Sequence, residues 1–372
     1  MEHWSPAKPI TQAIRRLQLC PNQTASAFPS VRPHRLVPTR KEYTFNLAQK
    51  MHVWLRSLVT MCRVFGYHGI TMPILDIKHV TTYHYNRPVS FGKHRMMLLP
   101  RDDEDQRVLK CEIDITPKPV RLDWSRDIFG NHVATTKFDD RADRLSFVSK
   151  VRLDHAPAKF HATDVDYSAR HYPFAYSVDY WRDLNRYMQP PSSRRELDRW
   201  SAAFFRNGKS ADLYELLVGM TQTIKQTIRH ISRHEEGIQE PVQTISLGSG
   251  SCRDVAVLMI AALRSRGIAA RFVSGYVHLV DDDNEEEDEE DDIVGGNTHA
   301  WVQVYVPGPG WVDFDPAAGI TGNQNLIRVA TVQHPREAIP LQGTWYGSSS
   351  DHLAMNVAVR IRAVSSADTQ RR

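Results

Sequence analysis

Cys252 stands where the chain leaves "GSGS" (248–251) and enters an apolar helical pattern. The free N–H groups and positive dipole end of a helix stabilise an anion there, and helix N-termini lower thiol pKa values. A thiolate is the nucleophilic form of cysteine, so this position suits covalent chemistry. A nucleophile needs a base, and His299 in "NTHAWVQVYV" opens a strand whose alternation fixes the direction of its ring. A base needs an orienting group. Asp315 in "GWVDFDP" falls on the next strand, and a hairpin turn at "PGPG" brings it alongside His299. Asp313 points the same way under strand alternation, so periodicity leaves both aspartates open. Cysteine, histidine and aspartate in these places fit nucleophile–base–orienter logic. The glycine-serine loop is not followed by Gly-Lys-Ser/Thr, so a nucleotide P-loop fits poorly.

Around these residues lie the elements that must position them. "SADLYELLVGMTQTIKQTIRHIS" (210–232) places Leu213, Leu216, Leu217, Met220, Ile224, Ile228 and Ile231 at three- and four-residue steps, predicting one amphipathic helix. "SRRELDRWSAAFF" (193–205) predicts another, capped by its serine. The helix entered at Cys252 is expected to end at Gly267, in a left-handed position. "IAARFVSGYVHLV" reads as a strand, followed by the 299–315 hairpin and a late strand, "MNVAVRIRAV". Residues 175–364 are therefore helices followed by an antiparallel sheet, an α+β arrangement.

Upstream, from about residue 72 to 160, the period changes to two. In "VLKCEIDITP", Leu109, Cys111, Ile113 and Ile115 alternate with polar residues, predicting a half-buried strand with all four on the inner face. "DIFGN" (127–131) supplies a turn. Residues 1–71 carry ten Lys or Arg against Glu2 and Glu42 and show no sustained period, and we expect a poorly ordered basic extension. "DDDNEEEDEEDD" (281–292) holds eleven acids and reads as a solvated acidic loop. It has no glycine turn to arrange calcium ligands.

Composition narrows the function. The chain has 372 residues, 41% apolar and 24% charged, enough for two domains with a sizeable core. The longest apolar run, Val255–Leu263, has nine residues, against the roughly 20 needed to cross a bilayer. The net charge of +4 is concentrated as a basic excess in the first 71 residues without aromatic interleaving, so no nucleic-acid partner is expected. Cys20, Cys62, Cys111 and Cys252 form neither a disulfide framework nor a zinc pattern, which points to a reducing, cytoplasmic location. No cofactor is expected. His161 and His171 have no metal-ligand spacing, and Trp301 and Trp311 read as core residues. Asp254 is placed to hold the first-turn N–H groups, and Arg253 to be solvated.

"GSGSCRDVAVLMIAALRSRGIAARFVSGYV", "THAWVQVYVPGPGWVDFDPAAG" and "NLIRVA" closely resemble the bacterial transglutaminase-like superfamily. "IKHVTTYHYNRPVSFGKHRMMLLPR" with "DIFGN" resembles the β-rich region that precedes the core in bacterial members. The resemblance implies an N-terminal antiparallel β domain (72–160) followed by a papain-like catalytic domain (175–364), helices packed on an antiparallel sheet. It also implies that Cys252 is the nucleophile, His299 the general base and Asp315, directly before Pro316, the orienter. The expected activity is acyl transfer from peptide or amide bonds of a protein or peptide substrate, ending in hydrolysis. A glutamine transglutaminase and a non-catalytic interaction module are the alternatives. The "SGSC" approach offers no side-chain donor for an oxyanion hole, leaving the backbone N–H of Cys252 as one donor.

Overall fold

A computed structural model of the protein describes residues 74–190, 195–205, 210–233, 237–278 and 295–364. The basic extension, Cys20, Cys62, the acidic loop 281–292 and the serine expected to cap a helix at 193 lie outside these residues.

The first region is a β-structure built on one very long strand, β1 (Ile74–Met96). It is followed by β2 (Gln106–Thr116), β3 (Arg121–Arg126), β4 (His132–Lys137) and β5 (Arg141–His155). β5 pairs antiparallel along β1 from Ile74↔Asp154 to Ser90↔Arg141, and β2 pairs on the outer side of β5. In β2, Cys111, Ile113 and Ile115 are half-buried as their alternation predicts, but Leu109 is exposed. A bulge between Val108 and Lys110 takes up one residue, so the face switches there and Val108 takes the inward position instead. Gly130 in the turn after β3 has φ +81°, where a side chain is strained.

The helical part follows: β6 (His171–Tyr172), α1 (Val178–Leu184), α2 (Arg195–Ser201), β7 (Ala211–Asp212), α3 (Leu213–Thr227), β8 (Arg229–His230), α4 (Pro241–Leu247), β9 (Ser249–Gly250) and α5 (Cys252–Arg264). α3 buries the predicted stripe but stops at Thr227, and Arg229–His230 run extended. The β-branched residues Thr227, Ile228 and Ile231 weaken a helix here, and pairing of β8 with β9 replaces its last turn. α5 is buried almost all round: Val255, Ala256, Leu258, Met259 and the run 260–264 are all inside. Its C-terminal turn closes through Gly267, at φ +75°.

β10 (Ala270–His278), β11 (Gly295–Val306), β12 (Gly310–Asp315), β13 (Ile320–Thr321), β14 (Leu326–Val332), β15 (Leu341–Tyr346) and β16 (His352–Val364) are the last strands among the described residues. One face of β10, β11, β12 and β14 carries Phe272, Ala300, Val302, Val304, Phe314, Ala330 and Val332, packed with α3 and α5 in the main core. A second cluster packs Tyr276, Ile327 and Val329 against Leu75, Ile77, Val151 and Leu153 of the first region and against Val359 and Ile361 of β16. β16 pairs along β1 from Ile74↔Val364 to Tyr85↔His352 and meets β11 at Gly295 and Gly296, so both regions share one twelve-stranded sheet. The fold is α+β. Among the described residues no helix is long and apolar enough to cross a membrane.

Candidate active site

Cys252 is the first residue of α5, and the local sequence fixes it there. α4 begins with Pro241 at its first turn and ends at Gly248, whose φ of +57° turns the chain into β9. Ser251 then caps α5. Its backbone N–H and hydroxyl both donate to Asp254 Oδ2 at 2.8 Å, closing a capping box. Asp254 is fully buried and also accepts from the Gln239 N–H at 2.8 Å and from Arg233 at 2.9 and 3.0 Å. Burial pushes its carboxyl up, but the Gln239 and Ser251 donors and Arg233 outweigh it and hold it below the usual carboxylate range. A Cβ on Gly250 would lie 2.9 Å from Cβ of Asp254, so only glycine passes this point undisturbed.

Asp254→Ala leaves a guanidinium and two N–H groups without their acceptor, and should cost about 3 kcal/mol in chemical denaturation near neutral pH. Because the folded carboxyl lies below its unfolded value, the wild-type advantage is complete above the unfolded carboxylate pKa of about 4. It is lost as pH falls through the folded value. A variant as stable as the wild type at neutral pH would show that the capping network contributes nothing.

Opposite the helix mouth, His299 on β11 and Asp315 at the end of β12 meet. His299 Nε2 donates to Asp315 Oδ2 at 2.7 Å; the carboxylate is fully buried and the histidine side chain 12% exposed. Asp315 Oδ1 accepts the N–H groups of Ala317 and Ala318 at 2.9 and 3.1 Å, so the turn after Pro316 fixes the carboxylate before it fixes the imidazole. With Nε2 committed, Nδ1 is the nitrogen turned to the thiol.

Burial pushes the Cys252 thiol up. Hydrogen bonds from the side chains of His230 and His299, the His299 charge and the Ala300 N–H outweigh this and bring it down to about 6. Burial pulls His299 down, but its bonds to Asp315 and Cys252 and their charges push it up to about 10. Each group shifts toward its charged form because of the other, so the values belong to the pair. Between them the pair is thiolate and imidazolium, a nucleophile already deprotonated with a proton donor beside it.

His230 is a residue that sequence reasoning missed. A helix running through residue 232 would carry its side chain elsewhere. The parallel bridge of β8 with β9, with the Arg229 N–H to Gly248 O at 2.8 Å and the Ile231 N–H to Gly250 O at 3.0 Å, brings it beside Cys252. The signal was the β-branched run that breaks α3.

Asp313, the other aspartate on this face, is engaged elsewhere. Its Oδ1 accepts Trp301 Nε1–H at 2.6 Å and its Oδ2 accepts Arg328 Nη1–H at 2.7 Å. Arg328 also pairs with Asp105, from the β1–β2 loop of the first region. Trp301 is fully buried and lies stacked on His299, centroids 6.1 Å apart and planes 25° apart. Trp311 packs at the far end of the hairpin, and Arg253 is exposed. A Cβ on Gly275, which faces His299 across the β10–β11 register, would meet the Trp301 ring at 2.7 Å and collide with the Ile327 carbonyl. That glycine makes room for the tryptophan under the histidine. Among the described residues, no three His, Cys, Asp or Glu side chains converge as a metal cluster.

Residues 75–154 match the bacterial transglutaminase-like N-terminal region, and residues 198–316 match the transglutaminase-like superfamily. The uncharacterized protein Rv2569c of Mycobacterium tuberculosis is 27% identical over 299 residues, covering 77% of this chain and 91% of the relative. The uncharacterized protein ML0607 of Mycobacterium leprae is 24% identical over 292 residues, covering 77% and 98%. Among solved structures, a protein of Cytophaga hutchinsonii described as a candidate cysteine protease superposes with a TM-score of 0.55 at 19% identity, covering 79% of this chain and 92% of that one. This last likeness is one of fold.

Proposed function

We propose, for a chain that carries a transglutaminase-like core behind a bacterial transglutaminase-like N-terminal region, that it is a cysteine-dependent acyl-transfer enzyme acting on peptide or amide bonds, with hydrolysis as its outcome. The observation that carries this reading is the thiol at the mouth of α5 facing an imidazole whose other nitrogen is held at 2.7 Å by a buried carboxylate. Folding requires no such arrangement.

In the proposed reaction the Cys252 thiolate adds to the substrate carbonyl. The resulting oxyanion is met by the backbone N–H of Cys252, with the His230 side chain, which hydrogen-bonds the thiol, as a second donor. As the C–N bond breaks, His299 Nδ1 gives its proton to the departing amine, leaving a thioester. Water then attacks the thioester, His299 takes a proton from it, and the acid leaves as the thiolate returns. Asp315 keeps the proton on Nε2 and stabilises the imidazolium throughout. Activity should fall below about pH 6 as the thiolate is protonated and above about pH 10 as the imidazolium is lost.

The test is digestion of a defined peptide mixture with and without monodansylcadaverine, read by mass spectrometry, with the Cys252→Ala chain as control. New peptide termini or glutamine-to-glutamate conversion that vanish in the control are the expected result. Dansyl incorporation into glutamine peptides in place of hydrolysis would replace this reading by amine transfer. No Cys252-dependent product of either kind would leave a non-catalytic interaction protein.

A further inference from the structure

At the turn end of the β11–β12 hairpin, roughly 20 Å along the strand from His299, a cavity of about 350 Å³ opens. Its walls come from three separate places: Phe129 in the turn after β3, Tyr187 just beyond α1, and Tyr305 and Trp311 on the hairpin. The rings are mutually ordered, with Tyr187 and Tyr305 edge-on to Trp311 at 5.1 and 5.4 Å.

Two guanidiniums enter this aromatic cavity. Arg271 lies 4.1 Å over the Trp311 ring, and Arg186 lies 5.0 Å over Tyr187 and 5.8 Å over Phe129. Arg328 meets Asp313 and Arg233 meets Asp254, and the buried Arg264 is held by the carbonyls of Ala270 and Gln333. Arg271 and Arg186 have neither a carboxylate nor such a set of carbonyls among the described residues. Among the described residues, Arg271 has one hydrogen-bond partner, Gln303 Oε1 at 2.9 Å, and neither arginine forms an ion pair. Burial and the nearby Arg101 charge pull the Arg271 guanidinium below the ordinary arginine range, which an incoming anion would reverse. Gln303 engages only Nε of Arg271, which leaves its Nη N–H groups to meet a carboxylate.

The surroundings choose the charge of the ligand. Asp183 lines the same cavity, and Asp103 and Glu104 line an adjoining one that shares Arg271 and Trp311. Their field opposes a dianion such as a phosphate ester more than a single carboxylate. The aromatic walls ask for a planar or apolar group beside that carboxylate, and the volume lies at the small end of the range for ligand sites.

We propose that this cavity is a peptide-binding subsite separate from the cysteine centre, taking an acidic residue next to an aromatic one, with the carboxylate on Arg186 and Arg271 and the ring among Tyr187, Tyr305 and Trp311. The subsite stands whether or not Cys252 turns over, and it gives the protein a way to hold a polypeptide at a point remote from the reacting bond.

Calorimetric titration of the full-length Cys252→Ala chain, in which no turnover contributes, with N-acetyl-Phe-Glu-amide tests this. Saturable binding is expected in the sub-millimolar range, weakened about tenfold in N-acetyl-Phe-Gln-amide by loss of the charge. Arg271→Gln and Arg186→Gln should each weaken the Glu peptide about fivefold or more; Arg186 is exposed, so its variant keeps the fold if the Arg271 variant does not. Equal binding of the Glu and Gln peptides, no saturation, or unchanged affinity in the Arg186 variant overturns the proposal. Tighter binding of phenyl phosphate than of the Glu peptide overturns it too, by assigning the arginines to a phosphate.

Discussion

His299→Ala should move the midpoint of Cys252 alkylation from about 6 to above 8, close to the ordinary thiol value near 8.5. Burial is the largest influence on this thiol and acts upward; without His299 only His230 and the Ala300 N–H oppose it. The rate at a single pH would mislead. Intrinsic nucleophilicity falls as thiol pKa falls, with a Brønsted slope of about 0.4–0.5, so the variant's scarce thiolate is the more reactive one. Near neutral pH the two effects nearly cancel, and iodoacetamide labelling should slow only about two- to threefold. Well below neutral, near pH 5.5, the gap should widen to about twentyfold. Mass-spectrometric rates at Cys252 across the range separate the curves. Turnover, where it is found, should fall about 10⁴-fold, because the variant loses both the charge that holds the thiolate and the proton for the leaving amine. A midpoint that stays near 6 in His299→Ala would break the pairing on which the proposed mechanism depends.

The second large effect is one of stability. The Arg328 side chain is 4% exposed and touches Asp313, also 4% exposed, together with Asp105 and, at 3.8 Å, Asp103. Burial works against its charge, and Asp313 and Asp105 outweigh burial and hold it firmly protonated. Arg328→Met keeps the volume and removes the charge, leaving Asp313 buried with only Trp301 Nε1–H as donor. The expected loss is about 3–5 kcal/mol in urea or guanidinium denaturation. Adding Asp313→Asn should recover part of it, since an amide oxygen still accepts from Trp301 and no buried charge remains. A single variant within about 0.5 kcal/mol of wild type would show that the network is electrostatically idle.

The catalytic-type constellation was legible in the sequence because its parts are local motifs: a cysteine after a glycine-serine loop, a histidine opening a strand, and an aspartate before a proline. What periodicity left open was the choice between Asp313 and Asp315. Both lie on one face of β12, and their partners come from elsewhere: Ala317 and Ala318 for one, Trp301 and Arg328 for the other. His230 was not legible, because its position depends on a two-residue parallel bridge that ends a helix whose apolar spacing continues past it. Leu109 failed for a similar reason, as one inserted residue inverts a face without changing composition. The α+β order could be read from the succession of periods. That the last strand joins the first could not, since strand partners distant in sequence leave no local mark.

That joining of ends sets the order in which the protein can be completed. β1 lies between β5, which follows it closely, and β16, whose register reaches from Ile74↔Val364 inward. A nascent chain can pair β1 with β5 as soon as β5 has left the ribosome, but the opposite edge of β1 stays open until β16 has followed. Closing so long a loop is entropically slow and leaves an unpaired edge in the meantime. The same closure buries Val359 and Ile361 against Ile327 and Val329, beneath the sheet that carries His299. The sheet that supports the histidine is therefore fully backed only once β16 has emerged, so a growing chain carries its thiol before it carries the finished support for its base.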